Sequence, residues 1–144
     1  MGGKLLYGDG RPQHEGILVG VGGWAWNVDH GGYFARGELV RNVSAVTGAC
    51  VMMRPSVFAR VGGNDERLRI AYNDVDLGLR VRQAGFDVVY TPYARLYHYE
   101  GASRKGWEHD EDGPLFGKRW NPREMIDPYY SPLFERDRPF IIRT

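Results

Sequence analysis

The sequence predicts an α/β domain, on three observations. Apolar runs of strand length recur at residues 4–7, 17–21, 45–53 and 86–91. Between the last two runs, the stretch that begins at Asn73 follows helical spacing and stops at Gly85. No apolar run approaches the roughly 20 residues that a bilayer span needs, and the N-terminus lacks a secretory signal pattern.

Taken in order, Lys4-Leu5-Leu6-Tyr7 reads as a strand and Asp9-Gly10 as a turn. Residues 17–21 read as a second strand. Residues 22–41 mix Trp24, Trp26, His30 and Tyr33 with glycines and show no period, so they read as a long loop. Residues 45–53 read as a buried strand whose Gly48 invites close approach of another group. Pro55 opens a short helix that Gly62-Gly63 ends.

The next helix has Asn73 as its expected N-cap, with Asp74 and Asp76 at the positive end of its dipole. Leu77 with Val81 and Val75 with Leu79 form two i, i+4 pairs on opposite sides, so this helix is expected to be covered on two faces. Phe86 to Thr91 reads as a strand ended by Pro92. Residues 107–144 carry five prolines and read as an extended tail beyond a domain of residues 1–106.

A formal charge of +1 gives no electrostatic reason to expect nucleic acid or an anionic membrane as partner. The single cysteine, Cys50, lies in an apolar run and reads as a buried thiol in a reducing, cytoplasmic compartment. Ser-His-Asp order, a P-loop and a dinucleotide fingerprint are all absent from the sequence, and His14 and His30 have no partner spacing.

One ordered set of residues resembles a known family. It comprises Ser44-Ala45-Val46-Thr47-Gly48-Ala49-Cys50, Arg54, Phe58, Val61-Gly62-Gly63, Asn73-Asp74-Val75-Asp76-Leu77, Arg80, Gly85, Pro92 and His98. Its order and spacing are similar to those of family 2 glycosyltransferases, and most of all to bacterial rhamnosyltransferase-like members. Asp127-Pro128-Tyr129-Tyr130-Ser131-Pro132 resembles the tail motif of a subgroup.

The resemblance implies the C-terminal, acceptor-side half of a GT-A nucleotide-sugar fold, with a mixed sheet and flanking helices. The implied activity is inverting, metal-dependent transfer of a sugar from a nucleotide diphosphate donor to a glycan or lipid-linked acceptor. It also implies that the nucleotide-binding half and its Asp-x-Asp lie outside this chain, so the chain alone is expected to be inactive. Asp74-Val75-Asp76 has the Asp-x-Asp spelling but aligns with the base region.

By the same resemblance Asp74 is the catalytic base, with Asn73 in place of the family's usual Glu. Gly48 and Ala49 form the floor under the donor sugar, and Asp76 binds acceptor or caps the helix. Arg104, just past His98, reads either as a partner of the diphosphate or as a solvated arginine. His98 completes a site for Mn²⁺ or Mg²⁺. The implied location is cytoplasmic, or peripheral at the inner face of the membrane, and a homo-oligomer is compatible with an exposed sheet edge. A non-enzymatic carbohydrate-binding module, suggested by the aromatic residues, and a metal hydrolase using Asp74, Asp76 and His98 are the competing readings.

Overall fold

The computed structural model describes residues 1–29, 33–99 and 112–143. The chain is mixed α/β, as expected. Strands β1 (Gly2–Leu6), β2 (Pro12–His14), β5 (Arg41–Asn42) and β6 (Val89–Tyr97) form one sheet in the order β2-β1-β6-β5. The central pair, β1 and β6, is parallel and both outer pairings are antiparallel. Strands β3 (Ile17–Val19) and β4 (Ala25–Asn27) form a separate hairpin. No helix among the described residues is long and apolar enough to cross a membrane.

Several strands depart from the sequence reading for local reasons. The expected loop at residues 22–41 contains β4 and a short 3₁₀ turn, Tyr33–Glu38. Gly20, Gly22 and Gly23 adopt positive φ, and so let the hairpin close. The buried strand expected at residues 45–53 is not a strand. Among the described residues it makes only single bridges, Ala45 to Ile17 and Val51 to Gly2; it turns outward between them at Gly48 and Ala49, and Met52, past the second bridge, is 79% exposed. Cys50 is accordingly half-buried rather than buried. Strand β6 does not end at Pro92. Gly3 pairs with Thr91 and Lys4 with Arg95, so residues 92–94 bulge out of the ladder where proline has no N–H to donate.

Helix α1 (Pro55–Arg60) starts on its proline and is ended by Gly62 and Gly63, both at positive φ. Helix α2 (Asn73–Gln83) buries both expected pairs. Val75 and Leu79 pack with Ile17, Val19, Ala45 and Phe116, whereas Leu77 and Val81 pack with Val43, Val46, Val88 and Tyr90. The helix therefore forms the wedge between two core clusters.

The expected extended tail is also corrected. Residues Asp112–Trp120 form α3, with Pro114 tolerated in its first turn. Beyond it, Tyr130 and Phe134 fold back into a third cluster with Leu18, Val21 and Val28. Asp127 from the tail motif fixes this return: its Oδ2 accepts the Val19 N–H at 2.8 Å and its Oδ1 accepts the Tyr129 N–H at 2.8 Å.

The fit of α2 depends on Gly78. A Cβ there would lie 2.7 Å from the Ala45 Cβ and 3.0 Å from the Ser44 carbonyl oxygen. Alanine is the better helix former by about 1 kcal/mol. Overpacking against a backbone nevertheless costs about 1–3 kcal/mol. Gly78→Ala is therefore expected to lower the urea midpoint, and a raised midpoint would contradict the close packing of α2 on residues 44–45.

Candidate active site

Of the expected site residues, Asp74, Gly48 and Ala49 come together at the N-terminal end of α2. The expected cap is displaced by one position. Tyr72 precedes the helix in the left-handed region, with φ 59°, and Asn73 is already helical. That conformation is unfavourable for a bulky L-residue by about 1–2 kcal/mol. It is held by stacking of the Tyr72 ring on Phe116, with centroids 4.6 Å apart and planes within 11°, and by Trp24 at 5.9 Å. Just upstream, Oδ2 of Asp112 accepts the N–H groups of Ile70 and Ala71 at 2.6 and 2.7 Å. Helix α3 thus fixes the chain that leads into Asp74.

Asp74 lies in the first turn of α2 and is half-buried. Its Oδ2 accepts the Gly48 N–H at 3.0 Å, and its Oδ1 accepts the Val75 N–H at 2.8 Å. The structure therefore brings Asp74 and Gly48 together, although they are 26 positions apart. Gly48 and Ala49 are both exposed beside this carboxylate.

Asp76, two residues on, has a different environment. It is 0% exposed, and its carboxylate is surrounded by donors: Arg80 Nε at 2.8 Å, Arg119 Nη1 at 2.6 Å and Trp120 Nε1 at 2.8 Å. A direct contact with acceptor, expected from sequence, has no accessible oxygen here, and the residue caps nothing. Asp76 instead ties α2 to α3. A cavity of about 330 Å³ opens beyond the two arginines and is also lined by Asp65 and Arg67. Hydrogen bonds from Arg67 and Arg119 hold the Asp65 carboxyl well below the usual carboxylate range.

His98 lies just past β6, beside β2. Its N–H donates to the Leu6 carbonyl, and its Nδ1 meets the Gln13 Oε1 at 2.8 Å, while Gln13 Nε2 donates back to the His98 carbonyl. Because the amide oxygen can only accept, Nδ1 carries the proton and the Nε2 lone pair is the coordinating end, as in many metal-binding histidines. Among the described residues, no group of three or more His, Cys, Asp or Glu side chains is placed to hold a metal. The residues present thus offer one candidate ligand and not a complete site. Arg104 lies outside the described residues.

One residue that sequence reasoning left without a role adjoins this site. His14, on β2, is 1% exposed, and its Nε2 accepts the Thr47 N–H at 3.2 Å. Its Nδ1 donates to Asn27 Oδ1, and Asn27 Nδ2 donates to the Gln13 carbonyl at 2.8 Å. Burial pushes the imidazole pKa down to about 4, against the smaller opposing pull of Asn27 and Asp74. Gln13 and His14 are consecutive, and successive side chains leave a strand on opposite faces. The support for His98 and the support for the Asp74 turn therefore leave β2 on opposite faces, and no contact among the described residues brings Asp74 and His98 together.

Two outcomes follow from these environments. Asp76→Ala leaves Arg80, Arg119 and Trp120 facing a void, and is expected to cost about 3–5 kcal/mol by chemical denaturation. A loss below about 1 kcal/mol, the scale of a surface pair, would contradict the anchoring role. His14 gives a pH dependence with a definite sign. Its folded pKa is depressed, so the unfolded chain binds a proton that the folded chain refuses. Stability is full above about pH 6.5 and is lost as pH falls toward 4, by up to about 3 kcal/mol. His14→Gln removes this contribution, so urea midpoints measured at pH 7 and pH 4.5 should differ less in the variant than in the parent.

Comparison with known proteins gives a consistent picture. Residues 28–110 match the family described as glycosyltransferase like family 2. The chain is 41% identical to the uncharacterised protein y4gI of Sinorhizobium fredii, over 96% of this chain and 17% of that protein. It is 40% identical to the O-antigen biosynthesis protein RfbC of Myxococcus xanthus, over 92% of this chain and 11% of that protein. An N-acetylglucosaminyl-diphospho-decaprenol L-rhamnosyltransferase of Mycobacterium tuberculosis is 43% identical over 44% of the chain, which is 20% of that enzyme. The chain thus spans a fifth or less of the length of these curated relatives. No solved structure matches. With the family match covering more than half of its residues, the chain belongs to the family-2-like glycosyltransferases.

Proposed function

We propose that this chain is the acceptor-side part of an inverting glycosyltransferase and that Asp74 is its general base. The observation that carries the reading is the contrast between two carboxylates two residues apart in one helix. Asp76 is buried and fully engaged, whereas Asp74 is half-buried, oriented by the Gly48 N–H and accessible beside an exposed backbone turn. A base must be both oriented and reachable, and of the two only Asp74 is.

In the proposed reaction the acceptor hydroxyl attacks the anomeric carbon from the face opposite the leaving group. Its proton passes to Asp74, the new C–O bond forms, and the bond to the diphosphate breaks, with the electron pair leaving on the nucleoside diphosphate. Gly48 and Ala49 provide the surface against which the donor sugar lies, their small size letting the ring approach the backbone. His98 offers Nε2 as one ligand of a divalent cation, Mn²⁺ or Mg²⁺, which would neutralise charge on the departing diphosphate. The remaining ligands come from outside the described residues, so the chain alone is proposed to transfer no sugar. Arg104 remains a candidate diphosphate partner.

The donor is proposed to be a nucleotide diphosphate sugar and the acceptor a glycan or lipid-linked saccharide. The O-antigen biosynthesis protein of Myxococcus and the rhamnosyltransferase of Mycobacterium support this reading, and the proposed role is cell-surface polysaccharide synthesis, with the cytoplasmic face of the membrane as its proposed place. The competing readings draw less support. Trp24 packs against Tyr72 and Phe116, and Trp26 packs against Phe140, so core packing accounts for the rings that suggested a binding module. Burial of Asp76 removes one of the three groups that a metal hydrolase would need.

The test is Asp74→Asn in the full-length protein, assayed with UDP- and dTDP-sugars and a lipid-diphosphate-linked N-acetylglucosamine acceptor. Loss of a general base typically lowers turnover by on the order of 10²–10⁴. Donor affinity and the urea midpoint should be nearly unchanged, because Asn still offers an oxygen to the Gly48 N–H. Normal turnover would show that Asp74 serves only to hold the turn.

A further inference from the structure

We infer that His14 is a positioning residue for the base: it holds the 47–49 turn in the register that presents the Gly48 N–H to Asp74. The inference rests on Asp74 being the base and adds a residue that neither the family match nor the relatives' functions assign. Three successive N–H groups, of Thr47, Gly48 and Ala49, are each taken by a side chain. Thr47 donates to His14 Nε2 at 3.2 Å, Gly48 to Asp74 Oδ2 at 3.0 Å, and Ala49 to Thr47 Oγ1 at 3.3 Å. The turn is exposed at Gly48 and Ala49 and lies between two isolated bridges, so side chains rather than a strand ladder define its path.

Of those three partners, only His14 is anchored in the core. It is 1% exposed, and its orientation is set from behind: Asn27 Oδ1 accepts from Nδ1, and Asn27 Nδ2 donates to the Gln13 carbonyl. Asn27 belongs to the β3–β4 hairpin and His14 to the four-stranded sheet, so the ring joins the two sheets to the turn. The chemistry needs an acceptor at the Nε2 position and a donor at the Nδ1 position, which one neutral tautomer of histidine supplies. A displacement of the turn would move the donor that fixes Asp74 Oδ2. Misplacement of a catalytic group by about 1 Å can cost on the order of 100-fold in rate.

Glutamine and asparagine separate positioning from packing. Glutamine can place its amide oxygen where Nε2 lies and still accept from Thr47. Asparagine reaches only the Nδ1 position, so it keeps the link to Asn27 and loses the turn. The experiment compares His14→Gln, His14→Asn and Asn27→Ala in the full-length protein, with the same UDP- and dTDP-sugars and lipid-diphosphate acceptor. Amide hydrogen exchange at Gly48 is read relative to Leu79, a core position of α2 that reports global opening.

The expected result is a fall in turnover on the order of 10–100-fold for His14→Asn, with donor KM nearly constant and faster exchange at Gly48 but not at Leu79. His14→Gln should restore both readouts. Asn27 is exposed, so Asn27→Ala should fold and show the same direction with a smaller amplitude, even if His14→Asn does not fold. Equal turnover and equal Gly48 exchange in His14→Gln and His14→Asn, or an unchanged Asn27→Ala, would overturn the inference. Failure of the base itself reads differently: Asp74→Asn would then keep normal turnover, whatever the His14 variants do to Gly48 exchange.

Discussion

The buried carboxylate of Asp76 is the interaction on which the rest of the structure depends. It sits in the first turn of α2 and receives donors from its own helix, through Arg80, and from α3, through Arg119 and Trp120. Burying a carboxylate is expensive unless charge and hydrogen bonds surround it, and here they do. The consequence is geometric. With α3 locked onto α2, Phe116 stacks on Tyr72 and Asp112 binds the amides of Ile70 and Ala71. The chain entering α2 is thus clamped from one side, in a backbone conformation that it would not adopt alone.

The clamp divides the labour between two aspartates of similar appearance. Asp76 supplies rigidity and is closed to ligands, while Asp74 is left half-open with one oxygen oriented by Gly48. From the other side, His14 and Asn27 hold the turn that carries Gly48. The candidate base is therefore supported by a helix-to-helix charge cluster on one flank and a neutral hydrogen-bond chain on the other. His98 is kept in place by Gln13, the residue next to His14, so β2 braces both the base region and the candidate metal ligand.

How much of this was legible in the sequence depended on range. Helix α2 was readable because its two i, i+4 pairs and its glycine stop are local signals, and α1 because Pro55 and the glycine pair bracket it. The segment at residues 45–53 misled because an apolar run reports hydrophobicity and not pairing: Val51 and Met52 are exposed, and among the described residues its β-bridges are single ones, at Ala45 and Val51. Helix α3 was hidden by Gly113, Pro114 and Gly117, which local propensity counts against it. Packing explains Gly117, since a Cβ there would stand 3.0 Å from the Trp24 ring. His14 was invisible for a different reason. Its partners, Asn27 and Thr47, lie 13 and 33 positions away, and no periodicity links them. The Asp74 assignment came from resemblance, whereas the difference between Asp74 and Asp76 needed burial.

The proposed role of Asp74 as a single general base implies single displacement at the anomeric carbon. The most direct measurement is the anomeric configuration of the product, read by NMR from the one-bond carbon–proton coupling of the transferred sugar made by the full-length protein. The expected product has a configuration opposite to that of the donor. Retention would contradict the proposed role, because a product of unchanged configuration requires a mechanism in which Asp74 is not simply the base.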